Sequence, residues 1–361
     1  MPTIEALPMS ESEWDLMAKP RGLQSVSIFG DHKRALKSAS VMDFDQFLLL
    51  RTLTICKFPP NDLLDSGYNW SIAHRTAVAS LEAQESWSLY LDSIKKGLSG
   101  IKSLGLFSLV WHYQLRVCPV EGPDSTTLPI HRLAIRPRLA SERSTQPQAQ
   151  TPQVSTRRGQ EAPSTRPNLL QDTLSQARVA IDEQIVNVAL ILYLNALTLC
   201  SEAQGEWTPH RKGFVLKSQE GEKVYEARVD GYLHSSNQDV QAIVEVKACH
   251  RHAKTTQIQM QEAGEMAAWI GTNPPDVRIM REQKKLCRRL LISQDREEIY
   301  IIIAEFDADY VDYICDRPAR RSFLKMREYG PFLTRNHEYV ATLGHLILAF
   351  TIDQSVLDRP K

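Results

Sequence analysis

Hydrophobic residues recur at helical or strand spacing through the second half of the chain. Between residues 169 and 200 they become nearly continuous from Ile185 onward, which predicts one long buried helix. Short β-rich runs follow, separated by turn-forming residues: KGFVLKS, KVYEARVDGYL and VQAIVEVKA. The third run, Val240 to Ala248, is rich enough in Val and Ile to predict a strand at the centre of a sheet.

The pattern after the third run predicts the rest of an α/β fold. We expect a helix at about Thr255 to Ile270, a hairpin with Gln294-Asp295 at its tip, and an amphipathic helix from Glu338 to Ile352. The resulting order is α-β-β-β-α-β with additional elements. This order is typical of an α/β protein with helices flanking a mixed sheet.

Residues 1–118 show a different pattern and are expected to form a mainly helical N-terminal region. Apolar residues recur every three or four positions in 44–55 and in 69–98, which predicts amphipathic helices. Residues 104–120 are rich in side chains that favour β structure. No cluster of chemically suitable side chains is evident in this region, so its role stays open, with binding of a protein partner as one hypothesis.

Residues 119–168 separate these two regions and have the composition of a linker. They hold 8 of the 19 prolines and many Ser, Thr and Gln residues. Such a stretch buries too little apolar surface to offset its chain entropy, so we expect a disordered linker. The predicted domains are therefore 1–118, the linker 119–168, and 169–361.

Net charge narrows the classes of function. The 361 residues carry 43 Lys and Arg against 43 Asp and Glu, which argues against a protein that coats nucleic acid through bulk positive charge. A local basic surface remains compatible with this balance. The runs 278–289 and 317–327 are rich in bases, and each is either an ordinary exposed face or a contact surface for nucleic acid.

Composition also bears on the compartment. The longest apolar stretch, 185–199, is about 15 residues, shorter than the roughly 20 that a membrane-spanning helix needs. The six cysteines show no C-x-x-C spacing, which favours reduced thiols. We therefore expect an intracellular protein, nuclear or cytoplasmic, that does not act in a membrane.

Three ionisable residues fall at adjoining positions of the predicted strands. Asp230 ends the second β-rich run, and Glu245 and Lys247 lie on the third. Because side chains alternate along a strand, Glu245 and Lys247 share one face while Val244 and Val246 share the other. If the two strands pair, Asp230 and Glu245 approach each other. With a backbone carbonyl such as that of Val246, they form an oxygen-rich site suited to Mg²⁺ or Mn²⁺.

The neighbouring helices add two polar candidates. Glu183 and Asn187 are four residues apart on one face of an otherwise apolar helix, where an unpaired acid would be costly. Gln261 lies on the helix after the third strand and can orient Lys247 or contact a phosphate. A lysine beside a metal-binding carboxylate can assist in deprotonating water and can offset charge on a phosphorane.

These residues resemble the PD-(D/E)XK nuclease superfamily. The pattern is Asp230, then Glu245-x-Lys247 on a valine-rich strand, with an acid-bearing helix before it and a Gln-bearing helix after it. The order of segments over about residues 169–361 is also similar to a nuclease-like domain found in many uncharacterised proteins of filamentous fungi. The segments that carry this resemblance are DEQIVNVALILYLNAL, YEARVDGYL, IVEVKA, QEAGEMAAWI, LLISQDREEIYIIIAEF, YVDYI and EYGPFL.

The resemblance implies a restriction-endonuclease-like αβββαβ core and Mg²⁺-dependent hydrolysis of phosphodiester bonds, mostly in DNA. It makes Asp230, Glu245 and the helix acid Glu183 metal ligands, Lys247 the residue that activates water, and Gln261 an accessory residue. The chain departs from the superfamily pattern at two positions. Val229 stands where a proline precedes the first acid, and Glu265 stands where an aromatic residue sometimes follows the Gln.

Other interpretations of the same residues stay open. Glu245 and Lys247 alone are compatible with an ordinary ion pair, and a nuclease-like module with idle carboxylates would bind nucleic acid or a protein without cleaving anything. His250-Arg251-His252, directly after the third strand, is expected to be a solvated loop, with a phosphate contact as the alternative. A zinc site there would need further ligands, and none is evident from the sequence.

Overall fold

The computed structural model describes residues 6–30, 36–63, 71–97, 104–118, 182–199 and 201–357. The predicted linker, 119–168, lies outside the described residues. No described helix is long and apolar enough to cross a lipid bilayer.

A mixed seven-stranded sheet forms the centre of the fold, as expected for an α/β protein. The strands are β1 Thr52–Phe58, β2 Glu206–Thr208, β3 Lys212–Lys217, β4 Lys223–Val229, β5 Gly231–His234, β6 Val240–Lys247, β7 Cys287–Asp295, β8 Glu298–Phe306 and β9 Leu324–Leu333. The strand order in the large sheet is β1-β9-β8-β7-β6-β5-β2, and a separate antiparallel pair consists of β3 and β4. Strand β1 is parallel to β9 and β6 is parallel to β7, whereas the other paired strands are antiparallel.

Helices cover both faces of this sheet. They are α1 Glu11–Ala18, α2 Phe44–Leu49, α3 Ser71–Glu82, α4 Glu85–Lys96, α5 Phe107–Val117, α6 Glu183–Thr198, α7 Thr255–Thr272, α8 Val277–Glu282, α9 Ala308–Ile314 and α10 His337–Leu357. The long predicted helix is thus described from Glu183 onward. The predicted helices at 255–270 and 338–352 are present as α7 and α10, each somewhat longer than expected.

Several local predictions were wrong. Residues 107–117 form helix α5 although their side chains favour β structure, because Phe107, Val110, Trp111 and Gln114 are buried at helical spacing. The helix expected over 44–55 ends at Leu49 and is followed by strand β1. The β7–β8 hairpin turns at 296–297 instead of at Gln294-Asp295.

The N-terminal region contributes directly to the large sheet. Strand β1 pairs with β9 in parallel register, Thr52 opposite Leu324. The backbone carbonyl of Leu50 accepts a hydrogen bond from the hydroxyl of Tyr310 at 3.1 Å. The described residues of 1–118 and 181–361 accordingly form one compact unit. The sequence pattern predicts two separate regions, because a parallel pairing between residues so distant in the chain leaves no local pattern.

The two faces of the sheet bury different apolar clusters. Successive side chains of strand β6 point to opposite faces, and this alternation positions the site. On β6, Val244 and Val246 point into the cluster beneath α6 and α10, whereas Ile243 points into the cluster beneath α7. The same row that carries Ile243 continues as Glu245 and Lys247. The α7 face of the sheet therefore changes from apolar to charged at the carboxyl end of β6.

The shared sheet predicts that the two halves stay together after the chain is cut. With a protease site engineered into 119–168, cleavage should leave two fragments that elute as one species in size-exclusion chromatography. The uncut protein at the same concentration is the control. Fragments that separate without denaturant would contradict the shared core.

Candidate functional site

Asp230 is the single residue between strands β4 and β5, where the chain passes from the small sheet to the large one. The predicted run KVYEARVDGYL is thus divided at this residue. The backbone N–H of Asp230 donates to the carbonyl of Val244 at 3.0 Å, and its Oδ2 accepts from the N–H of Val246 at 3.3 Å. These bonds hold the Asp230 carboxylate beside the end of β6 that carries Glu245 and Lys247.

The Glu245 carboxylate is almost completely buried, with 1% of the residue exposed. Its Oε1 accepts from the ammonium of Lys247 and from the side-chain amide of Gln261, the latter at 2.5 Å. Its Oε2 is buried with no hydrogen-bond partner. Burial and the neighbouring Glu265 raise the pKa of Glu245, although Lys247 opposes them. Glu245 thus presents one unused oxygen in a dry environment.

Lys247 lies between two acids from different elements. Its Nζ contacts Glu245 and lies 3.6 Å from Oε1 of Glu183. Burial lowers the pKa of Lys247, but the charges of Glu245, Glu265 and Glu183 raise it, and the net shift is upward. In this arrangement Lys247 is a fixed cation.

Helix α6 supplies Glu183 at its first turn. Asp182 caps the helix by accepting from the N–H of Gln184, and acids are favoured at this end by the helix dipole. One turn on, the amide of Asn187 donates to the backbone carbonyl of Asp230 at 3.0 Å. The polar pair Glu183 and Asn187 thus faces the site. Glu183 lies near the ammonium of Lys247, and Asn187 fixes the backbone of Asp230.

Helix α7 supplies Gln261 and an acid that the sequence analysis did not propose for the site. The Gln261 amide donates to Glu245 and also, at 2.8 Å, to Oε1 of Glu265. Glu265 is fully buried, and burial raises its pKa to about 8. Its position four residues after Gln261 was a usable signal, since both then share a helix face. The structure brings all five predicted site residues together and adds Glu265.

Arg211 is a second group that the sequence did not reveal. It lies in the connection between β2 and β3, and its Nη2 is 3.0 Å from Oδ1 of Asp230. The contact continues the antiparallel register of β3 and β4, in which Lys212 lies opposite Val229, and this register was not predicted from the sequence. The candidate site therefore includes a cation on the Asp230 side as well as Lys247.

The sequence predicts that Arg251 lies in a solvated loop, but this residue is buried, with 3% exposed. Its guanidinium lies 4.1 Å from the ring centroid of Tyr300. It donates to four side chains of α7 and the sheet: Glu262 at 2.5 Å, Asp295 at 2.7 Å, Glu328 at 2.7 Å and Ser293 at 2.9 Å.

This Arg251 cluster directly adjoins the candidate site. Ser293 and Asp295 are the register partners of Glu245 and Lys247 on the neighbouring strand β7. Burial raises the pKa of Asp295 to about 7, although Arg251 opposes the shift. Since Glu262 is on α7 and Asp295 is on β7, Arg251 connects helix α7, which carries Gln261, to the strands that carry Glu245 and Asp295.

The two basic runs lie at the opposite end of the sheet. Run 278–289 leads into the start of β7 at Cys287, whereas the site is at the other end of this nine-residue strand, about 26 Å away. Run 317–327 leads into the start of β9, at the same end as Cys287. Several of these bases form ion pairs: Arg281 with Asp309 and Asp312, Arg288 and Arg327 with Glu305, Arg317 with Asp312, and Arg321 with Asp15.

The donor set fits a hard divalent cation with few protein ligands. In the part of the chain that the structure describes, no three His, Cys, Asp or Glu side chains form a ready-made metal cage. Mg²⁺ is typically held by only one or two carboxylates and keeps several waters. Asp230 and Glu245, with the partnerless Oε2 of Glu245, provide such oxygen donors.

Comparison with known proteins identifies no relative. No family model, no curated protein and no solved structure matches this chain.

The Arg251 cluster predicts a large loss of stability on truncation. Arg251→Met should lower the free energy of unfolding by about 3–5 kcal/mol, because it leaves three acids without their shared cation. Chemical denaturation measures this loss. The control is Arg228→Gln, which breaks an exposed pair with Glu226 and should cost less than about 1 kcal/mol. Equal effects of the two substitutions would show that the cluster does not stabilise the fold.

Proposed function

We propose that the protein is a metal-dependent nuclease that hydrolyses phosphodiester bonds, with DNA as the expected substrate. The observation that carries this proposal is the convergence of Asp230, Glu245 and Lys247, with one oxygen of the Glu245 carboxylate buried and without a hydrogen-bond partner. Glu183 and Gln261 approach the same cluster from two different helices. Five polar groups from four segments of the chain are more than a single structural ion pair requires.

The arrangement of elements supports the finer assignment, a restriction-endonuclease-like core. Helix α6 precedes strands β2, β5 and β6 of the large sheet, β5 and β6 form an antiparallel pair, and α7 lies between β6 and its parallel neighbour β7. The candidate residues lie at positions that match the resemblance: the acid between β4 and β5, the Glu-x-Lys pair on β6, and the Gln on α7. On this basis we propose that the chain contains a restriction-endonuclease-like αβββαβ core.

Each residue has a distinct role in the proposed reaction. Asp230 and Glu245, with Glu183 at the rim, would hold a Mg²⁺ or Mn²⁺ ion. When bound, this ion supplies Lewis-acid polarisation of the phosphate and a lowered pKa for water. Lys247 orients the attacking water and offsets the negative charge that develops on the phosphate. Gln261 keeps Glu245 and Glu265 in place, and the buried surroundings exclude bulk water.

The second candidate is a nuclease-like module that binds nucleic acid or a protein partner without turnover. One observation favours it: Lys247 already pairs with Glu245, and Arg211 already pairs with Asp230. These ion pairs balance the negative charges of the two carboxylates without a metal ion. Such a module would bind in a salt-dependent manner and would leave every substrate intact.

A cleavage assay separates the two candidates. Purified protein should cleave plasmid, single-stranded DNA or RNA with Mg²⁺ or Mn²⁺, and Lys247→Met should lower the rate by roughly 10²–10⁴-fold, because charge stabilisation and orientation of the attacking water are lost. The matched control is Lys217→Met, at an exposed strand position outside the site. Full activity in Lys247→Met would point to a contaminating nuclease, and no cleavage by the folded wild type would favour the silent module.

A further inference from the structure

Arg211 is one of only two well-exposed charged groups among the candidate site residues. Its side chain is 48% exposed, whereas that of its partner Asp230 is 9% exposed. Glu183 is the other, at 42%, and Lys247 and Glu245 are much less accessible. A molecule that approaches the site from solvent therefore meets Arg211 before it meets Asp230 or Glu245.

Both oxygens of Asp230 are engaged. The N–H of Val246 donates to Oδ2, and the Arg211 guanidinium lies 3.0 Å from Oδ1. A divalent cation on Asp230 would lie within a few ångströms of this guanidinium, and the two positive charges would repel each other. The guanidinium thus supplies the positive charge that a bound cation would otherwise supply.

The surroundings of Arg211 also favour an anionic ligand. The next residue, Lys212, places its ammonium 5.1 Å from the ring centroid of Tyr232 on β5, which leaves its charge near the same edge of the site. The two basic runs cannot serve this edge, since they lie at the other end of the sheet. An arginine fork suits phosphate oxygens better than a lysine does, because it donates two parallel hydrogen bonds.

We propose that Arg211 exchanges partners during binding: it pairs with Asp230 in the metal-free protein and with a phosphate of the nucleic-acid backbone once a divalent cation occupies the carboxylates. This inference rests on the proposed nuclease function and adds to it a residue that binds the substrate. It makes two predictions of opposite sign for one substitution. Loss of the guanidinium strengthens cation binding and weakens nucleic-acid binding.

The test measures the two affinities separately. Calorimetric titration with Mn²⁺ and no nucleic acid should give a three- to tenfold tighter Kd for Arg211→Gln than for wild type. A fluorescent DNA oligonucleotide titrated with Mn²⁺ present, in a Lys247→Met background that prevents cleavage, should give a Kd at least threefold weaker with Arg211→Gln. Arg228→Gln, which removes an exposed arginine on the neighbouring strand β4, should change neither Kd.

A second substitution keeps the test independent of folding. Arg211→Lys retains the charge but not the fork, so it should leave the Mn²⁺ Kd near the wild-type value while weakening DNA binding. Thermal unfolding verifies that each variant is folded.

Two sets of results would overturn the inference. A Mn²⁺ Kd in Arg211→Gln that is unchanged or weaker, or a DNA Kd that is unchanged, rejects the exchange of partners while leaving the nuclease proposal intact. A wild-type protein that neither binds Mn²⁺ nor cleaves nucleic acid rejects the nuclease function, and the exchange with it.

Discussion

The burial of the Glu245 carboxylate is the constraint on which the site depends. An isolated charge in this position would be very unfavourable, so the fold must bring compensating groups to it. Lys247 comes from the same strand face and Gln261 from helix α7, and together they engage one of its two oxygens. The other oxygen stays without a partner. This partnerless oxygen is the one that the proposed cation would bind.

Beyond Glu245, further buried charges between α7 and the sheet are balanced by polar partners, which together form a polar layer. On one side, Gln261 joins Glu245 to Glu265. On the other, Arg251 joins Glu262 of α7 to Asp295 of β7, beside Lys247. Helix α7 is therefore held to the sheet by charged groups at its amino-terminal half and by apolar packing further along. Such a layer keeps the orientation of Gln261 fixed, which a site with a defined geometry requires.

The sequence was sufficient for features encoded by local periodicity. The shared face of Glu245 and Lys247 follows from strand alternation, and the polar pair on α6 follows from helical spacing. It was insufficient for features that depend on tertiary burial. The sequence around Arg251 is typical of a polar loop, and its burial depends on contacts with Asp295 and Glu328, which lie on strands distant in the chain. The sequence of strand β1 likewise contains no pattern that predicts its pairing with β9. Helix α5 was missed because residue preference was given more weight than the helical spacing of its buried side chains.

Diffraction from crystals soaked in Mn²⁺ shows whether Asp230 and Glu245 form a cation site. An anomalous peak should appear within about 2–3 Å of a carboxylate oxygen of each residue, including Oε2 of Glu245. Arg211 should move away from Asp230 in the soaked crystal. If an accessible site gives no peak at saturating Mn²⁺, and the Lys247–Glu245 and Arg211–Asp230 pairs are unchanged, these carboxylates do not bind a cation.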